Sequence, residues 1–182
     1  YVAAHAYSAE SITMAVENGV HTIEHGNMID AGAAAAVARH GAVMVPTLST
    51  YEAMDLLGRK MGFPAANLAK NSKVMEAGLK SLEIARDAKV TLGFGTDLIG
   101  ESQARQRREF AIRAEVETPK EILRSLYVVN AKLCQMEGQI GTLTPGAAAD
   151  IVLTKVNPLE NIAALGADDA IEGVIQAGRP VS

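Results

Sequence analysis

The sequence predicts an α/β fold built from successive parallel strand–helix units of a β/α barrel, followed by a small separate β-element. Three observations carry that reading. Apolar runs of strand character reach His5, His25 and Val45 at equal intervals, so the chain advances one strand and one helix each time, as parallel strands with right-handed crossovers require. His5, His25 and Asp97 stand at the ends of separate strand-like runs with small residues behind them, the pattern of a barrel whose strand ends project functional groups into one mouth. Beyond Gly141 the chain changes to turns and short β-runs.

The first run is Val2-Ala3-Ala4-His5-Ala6, and alternation puts Ala3 and His5 on one face. Ser8 follows as an N-cap with Glu10 in the first turn; Ile12, Ala15 and Val16 keep helical spacing, and Gly19 is the stop. In the second run, Thr22-Ile23-Glu24-His25-Gly26, alternation joins Ile23 to His25 and sends Glu24 to the outer face, where an ion pair is its expected partner. Asp30 caps a helix carrying Ala34, Val37 and Ala38, Gly41 ends it, and Ala42-Val43-Met44-Val45 reads as a buried strand. Residues 46–72 mix Tyr51, Met54, Leu56, Leu57, Met61 and Phe63 with Gly58, Gly62 and Pro64, and fit either a mobile flap over the mouth or two short helices on the rim. A helix from near Ser72 to Ala88 leads into Leu92-Gly93-Phe94-Gly95-Thr96-Asp97, a strand with Gly93, Gly95 and Asp97 on its inner face. The charged runs 105–109 and 113–117 read as a solvated helix face, with an arginine able to reach an anionic group. Thr118-Pro119-Lys120-Glu121 is a capping box with proline at the first helical position, opening a helix that carries Ile122, Leu123, Leu126 and Val129. In the tail, Ile151-Val152-Leu153 and Val174-Ile175 are the β-runs, and Asp150 and Asn157 fit turn hydrogen bonding.

Composition narrows the function. With 182 residues, 48% of them hydrophobic, the chain can bury a core. A net charge of −4 and the lack of interleaved basic and aromatic residues argue against a nucleic-acid partner. The single cysteine, Cys134, cannot form an internal disulfide and reads as a buried thiol, so a cytoplasmic setting is favoured. No run approaches the roughly 20 apolar residues of a membrane span. The chain opens on Tyr1, one residue before a strand and without methionine, so the natural N-terminus is expected further upstream, where a signal peptide stays possible.

These motifs together resemble the amidohydrolase superfamily, in particular its Xaa-Pro dipeptidase-like and imidazolonepropionase-like branch. The resemblance rests on Val2-Ala3-Ala4-His5-Ala6-Tyr7, Thr22-Ile23-Glu24-His25-Gly26, Gly95-Thr96-Asp97, and the tail Gly141-Thr142-Leu143-Thr144-Pro145-Gly146 with Ala149-Asp150-Ile151-Val152-Leu153 and Asn157-Pro158-Leu159. It implies that His5 and His25 follow the fifth and sixth barrel strands, that Asp97 follows the eighth, and that all three bind metal. The family's His-x-His pair and strand-end lysine have no counterpart here; Lys89 precedes the last strand, at the other end. The resemblance therefore implies the C-terminal half of a metal-dependent (β/α)8 TIM barrel over residues 1–137, plus part of a small composite β-sandwich over 138–182. Alone, such a half is expected to expose the Val2-to-Ala6 edge, to self-associate or form a homo-oligomer, and to be a poor hydrolase.

Imidazole and carboxylate donors suit zinc or a similar divalent ion, one or two in the complete enzyme. Asp97 is the candidate general base and acid as well as a ligand, and Tyr7, two residues beyond His5, is the candidate substrate-binding phenol, with packing as the alternative. His21, at the far end of its strand, reads as structural, and His40 as a helix-end residue. The expected substrate is a small amide, an Xaa-Pro or related dipeptide or an N-acyl amino acid. The alternatives are a cyclic amide, as for an imidazolonepropionase-like enzyme, and a non-catalytic half that needs its missing partner.

Overall fold

The structure, a computed structural model, describes residues 1–181. The elements run β1 (Ala3–Ser8), α1 (Ala9–Glu17), β2 (Thr22–Met28), α2 (Ala31–Arg39), β3 (Val43–Val45), α3 (Leu48–Leu57), α4 (Ala65–Asp87) and β4 (Thr91–Leu92). A 3-10 turn at Gly100–Arg105 and α5 (Arg108–Arg113) follow, then α6 (Pro119–Leu123), which passes through a π-helical stretch at Arg124–Val129 into α7 (Asn130–Leu133). Strand β5 (Ile151–Thr154), a 3-10 turn at Ile162–Gly166, β6 (Ile171–Gln176) and β7 (Arg179–Pro180) complete the chain.

Strands β1 to β4 form one parallel sheet in sequence order, as consecutive β/α units do. The predicted caps form: Ser8 Oγ accepts from Ser11 N at 3.2 Å, and Asp30 Oδ1 from Ala33 N at 2.8 Å. Helices α1, α2 and α4 cover one face, where Ile12, Val16, Ala34, Val37, Leu82 and Ala85 pack on Ile23, Met44 and Leu92. On the other face Val43 and Val45 meet Val129 and Leu133.

Register corrects the facing of β2. Glu24 pairs with His5 on one side and Val45 on the other, so Glu24 belongs to the inner face, while Ile23 points into the helix layer. Among the described residues no ion pair involves Glu24, contrary to expectation. His25 still reaches His5 because its backbone leaves the strand conformation at φ 76°, which breaks the alternation. The next residue, Gly26, is also at positive φ, and a Cβ there would strike the Met44 thioether, so only glycine fits.

Residues 46–72 hold helix α3 and the start of α4, which begins at Ala65 behind Pro64 and runs 23 residues, further upstream than the predicted start near Ser72. The strand expected to reach Asp97 stops at Leu92, because its partner β3 ends at Val45 before Pro46, which has no N–H to extend the ladder. Gly93 N still donates to Met44 O at 2.9 Å, and beyond it the chain continues without ladder pairing. Gly95 lies so close to β3 that a Cβ would approach Val45 Cγ1 to 2.9 Å. Cys134 is exposed rather than buried, since α7 ends at Leu133 and the thiol falls at its cap.

The capping box forms as predicted, with Thr118 N donating to Glu121 Oε2 at 2.7 Å and Glu121 N to Thr118 Oγ1 at 3.4 Å. Thr118→Ala is expected to cost about 0.5–2 kcal/mol in unfolding free energy, measured by urea denaturation. In the tail, β5, β6 and β7 make an antiparallel sheet, and Asp150 Oδ1 accepts from Ala177 N at 2.7 Å, tying down the β6–β7 turn. Asn157 Oδ1 accepts from Leu159 N at 3.1 Å, the expected turn role. Ile162 and Leu165 anchor this tail by packing on Ile122 and Phe110. Among the described residues no helix is long and apolar enough to cross a membrane.

Candidate active site

His5, Tyr7 and His25 meet at the C-terminal end of the parallel sheet. His5 Nδ1 and His25 Nε2 face each other at 2.8 Å, and the Tyr7 ring stacks on His25 with centroids 4.9 Å apart and planes 15° from parallel. His5 is exposed and His25 buried. Burial lowers the His25 pKa; the Asp97 charge opposes this and His5 adds to it. Asp97 stands at the same end of the sheet, exposed and at φ 50°, and its backbone carbonyl accepts from Thr50 Oγ1 at 3.0 Å. Among the described residues, however, no three His, Cys, Asp or Glu side chains cluster tightly enough to hold a metal ion.

The donor chemistry fits a cation at the histidine pair. Two ring nitrogens at 2.8 Å share one proton between two lone pairs. Nitrogens bound to one tetrahedral ion at about 2.0–2.1 Å would lie about 3.3 Å apart, so a small parting of the rings suffices. His25 and Asp97 both sit in left-handed backbone, a conformation that costs non-glycine residues about 1–3 kcal/mol and concentrates at functional sites.

Helix α3 supplies contacts that the sequence reading missed. Thr47, just before α3, pairs its hydroxyl with His25 Nδ1 at 2.8 Å. One turn on, Tyr51 donates to the Tyr7 hydroxyl at 3.3 Å, and burial pushes its phenol pKa up. The signal available was Thr47 after the buried run 42–45, a residue type suited to opening a helix. His21, outside β2 at the opposite end, lies against Tyr1.

The charged runs 105–109 and 113–117 are not a solvated face. Glu109, Arg113 and Glu117 are buried at 0%, 0% and 5% exposure. Arg113 Nη2 donates to Glu117 Oε1 at 2.7 Å, Nη1 donates to Gly93 O at 2.7 Å, and the guanidinium lies over the Phe94 ring. Asn130 completes the support of the Asp97 approach: its amide donates to Phe94 O at 2.8 Å and accepts from Phe94 N at 3.0 Å, in place of a neighbouring strand. Arg105 and Arg108 bind Glu52 on α3. Burial pushes the Glu109 carboxyl up to about 7, against the opposing pull of the Ser49 and Leu48 N–H groups and Arg113. A raised carboxyl stabilises the fold most below its unfolded value, and that contribution falls as pH rises from about 4.5 through about 7. The unfolding free energy of the protein relative to Glu109→Gln is therefore expected to fall by on the order of 3 kcal/mol between pH 4.5 and 8. Urea titrations of both proteins across that range check it, and a rise instead would show that the carboxylate stays ionised.

The sequence profile described as the amidohydrolase family matches residues 1–181. A crystal structure of a prolidase complexed with N-methylphosphonate-L-proline is 46% identical, superimposes with a TM-score of 0.95, and is covered over 45% of its length by 100% of this chain. A Xaa-Pro dipeptidase with bound methionine in its active site is 28% identical at TM-score 0.85, again with 100% of this chain on 45% of that one. Ochratoxinase of Aspergillus niger is 27% identical over 180 residues, 98% of this chain and 37% of its own. The chain thus spans less than half the length of these relatives, and its four parallel strands are part of a TIM-barrel wall. The chain belongs to the amidohydrolase family.

Proposed function

We propose that the protein carrying this chain is a metal-dependent hydrolase of carbon–nitrogen bonds in small amides, with Xaa-Pro or related dipeptides or N-acyl amino acids as substrates. The observation that carries the reading is the His5 Nδ1–His25 Nε2 pair, with its nitrogens 2.8 Å apart at the C-terminal end of the sheet. Similarity to a prolidase and a Xaa-Pro dipeptidase supports the substrate class. His5, His25 and Asp97 would hold a divalent ion, with zinc matching the donor types. When bound, the ion supplies Lewis acidity that makes a water nucleophilic near neutral pH and polarises the substrate carbonyl.

The remaining chemistry falls to the side chains. The Asp97 carboxylate takes a proton from the attacking water as the carbon–oxygen bond forms, and returns it to the amide nitrogen as the carbon–nitrogen bond breaks. One water is consumed and a carboxylic acid and an amine leave. Tyr7, fixed by stacking on His25 and by the Tyr51 hydroxyl, presents a phenol to a substrate carbonyl or carboxylate. In this reading residues 1–137 supply the barrel strand ends and 138–182 part of a small β-sandwich.

The test is to load the full-length protein with zinc, manganese or cobalt and assay Xaa-Pro dipeptides, N-acyl amino acids and cyclic amides side by side. Activity on the first two, lost on chelation and restored by metal, is expected; activity confined to cyclic amides would move the protein to the imidazolonepropionase-like alternative. Residues 1–182 expressed alone are expected to self-associate through the unpaired β1 edge, and a monodisperse, metal-replete, active monomer in light scattering and assay would overturn that expectation.

A further inference from the structure

Helix α3 starts in an unusual way. Thr47 occupies the position whose hydroxyl would ordinarily cap the helix, yet it makes no side-chain cap bond; its Oγ1 instead lies 2.8 Å from His25 Nδ1. The first N–H groups of α3 nevertheless need acceptors, since no intrahelical partner exists for them. Glu109, on α5 and fully buried, supplies both: Leu48 N donates to its Oε1 at 3.1 Å and Ser49 N to its Oε2 at 2.6 Å. Arg113, one turn further along, does not pair with Glu109; its guanidinium is committed to Glu117, Gly93 and Ser125.

The same turn of α3 touches the candidate site at three points. Thr47 holds His25, Thr50 donates to the Asp97 carbonyl, and Tyr51 donates to Tyr7. An imidazole that offers Nε2 to a metal carries its proton on Nδ1, and an oxygen acceptor there sets the orientation of the ring. Were Thr47 to rotate its hydroxyl onto the α3 backbone, His25 would lose that acceptor.

We propose that Glu109 is the positioning residue of this site: by capping α3 in place of Thr47, it leaves the Thr47 hydroxyl to orient His25 and fixes the turn that carries Thr50 and Tyr51. The inference rests on the reading of His25 as a site residue. It concerns side chains that lie wholly within residues 1–181, so it does not depend on the rest of the barrel.

The experiment compares Glu109→Gln, Thr47→Val, the double variant and Thr118→Ala in the full-length metal-loaded protein at pH 8. Thr118→Ala removes a different helix cap, on α6, and reports the consequence of lost stability alone. Turnover by Glu109→Gln and Thr47→Val is expected to fall about 10- to 100-fold, the range for residues that orient a metal ligand, with KM nearly unchanged. The double variant is expected to lose little more than either single one, because both changes act through the same turn. Thr47→Ser, which keeps the hydroxyl, is expected to retain turnover, and Thr118→Ala to lower only the melting temperature. The 15N resonances of the His25 imidazole supply a readout independent of activity, and are expected to shift in Glu109→Gln and Thr47→Val but not in Thr118→Ala. Full turnover and unshifted His25 resonances in Glu109→Gln would overturn the proposal. Shifted resonances in a protein that hydrolyses no amide would uphold the positioning role and overturn the hydrolase reading instead. Should Glu109→Gln fail to fold, Glu109→Asp, which keeps the charge and withdraws it by one methylene, is judged by the same two readouts.

Discussion

Replacing Asp97 with asparagine in the full-length protein is expected to lower turnover by at least about a hundredfold, the usual contribution of a positioned proton-transfer group. Asparagine is nearly isosteric and keeps an oxygen that can approach a cation, but it can neither take a proton from water nor return one to a leaving nitrogen. Asp97 is at φ 50°, a conformation that asparagine also tolerates, so the backbone beyond β4 should hold its course. Bound metal, measured by elemental analysis of the purified variant, should therefore fall less than turnover does. A variant that keeps most of its turnover would remove Asp97 from the chemistry and leave the histidine pair without its base.

The largest expected effect on stability comes from Arg113. Arg113→Leu would strand the Glu117 carboxylate, 5% exposed, without its bidentate partner, and such a buried, uncompensated charge costs about 3–5 kcal/mol. It also removes the donor to Gly93 O, which steadies the chain on its way to Asp97. A denaturant midpoint shifted by that amount is expected, together with reduced turnover in whatever protein remains folded. Arg113→Met combined with Glu117→Leu removes both charges and should recover part of the lost stability, because two apolar side chains of similar size carry no desolvation cost. A single variant as stable as the parent would show that the ion pair is not what holds this region.

Local rules predicted much of the chain because they depend on near neighbours. Ser8, Asp30 and the Thr118–Glu121 capping box each sit within a few residues of the N–H groups they bind. Strands β1, β2 and β3 follow apolar runs whose spacing is set by one intervening helix. The pattern of small and polar side chains marks His5 and His25 as strand residues, although β1 continues past His5 to Ser8 and β2 past His25 to Met28.

The facing of Glu24, the end of the strand before Asp97 and the burial of the charged run each depend on partners far away in the sequence. Alternation counted back from His25 places Glu24 on the outer face, whereas His25 is at positive φ, off the strand path, and its ring meets His5 and Thr47. Alternation extends the strand to Asp97, whereas its end depends on where β3 stops, and the residues beyond it are held by Asn130 and Arg113 instead of a ladder. Glu109, Arg113 and Glu117 recur at i, i+4 spacing, as solvent-facing charges on a helix commonly do.

The sequence by itself determined the order of strands and helices and the caps, since each of these is encoded by residues within about one turn or one strand of each other. Only the tertiary structure decided which polar groups are buried and what they serve. A carboxylate becomes a helix cap and a threonine an imidazole holder because packing places α5 and α3 together and excludes water, leaving each N–H and each ring nitrogen to find its partner among the side chains nearby.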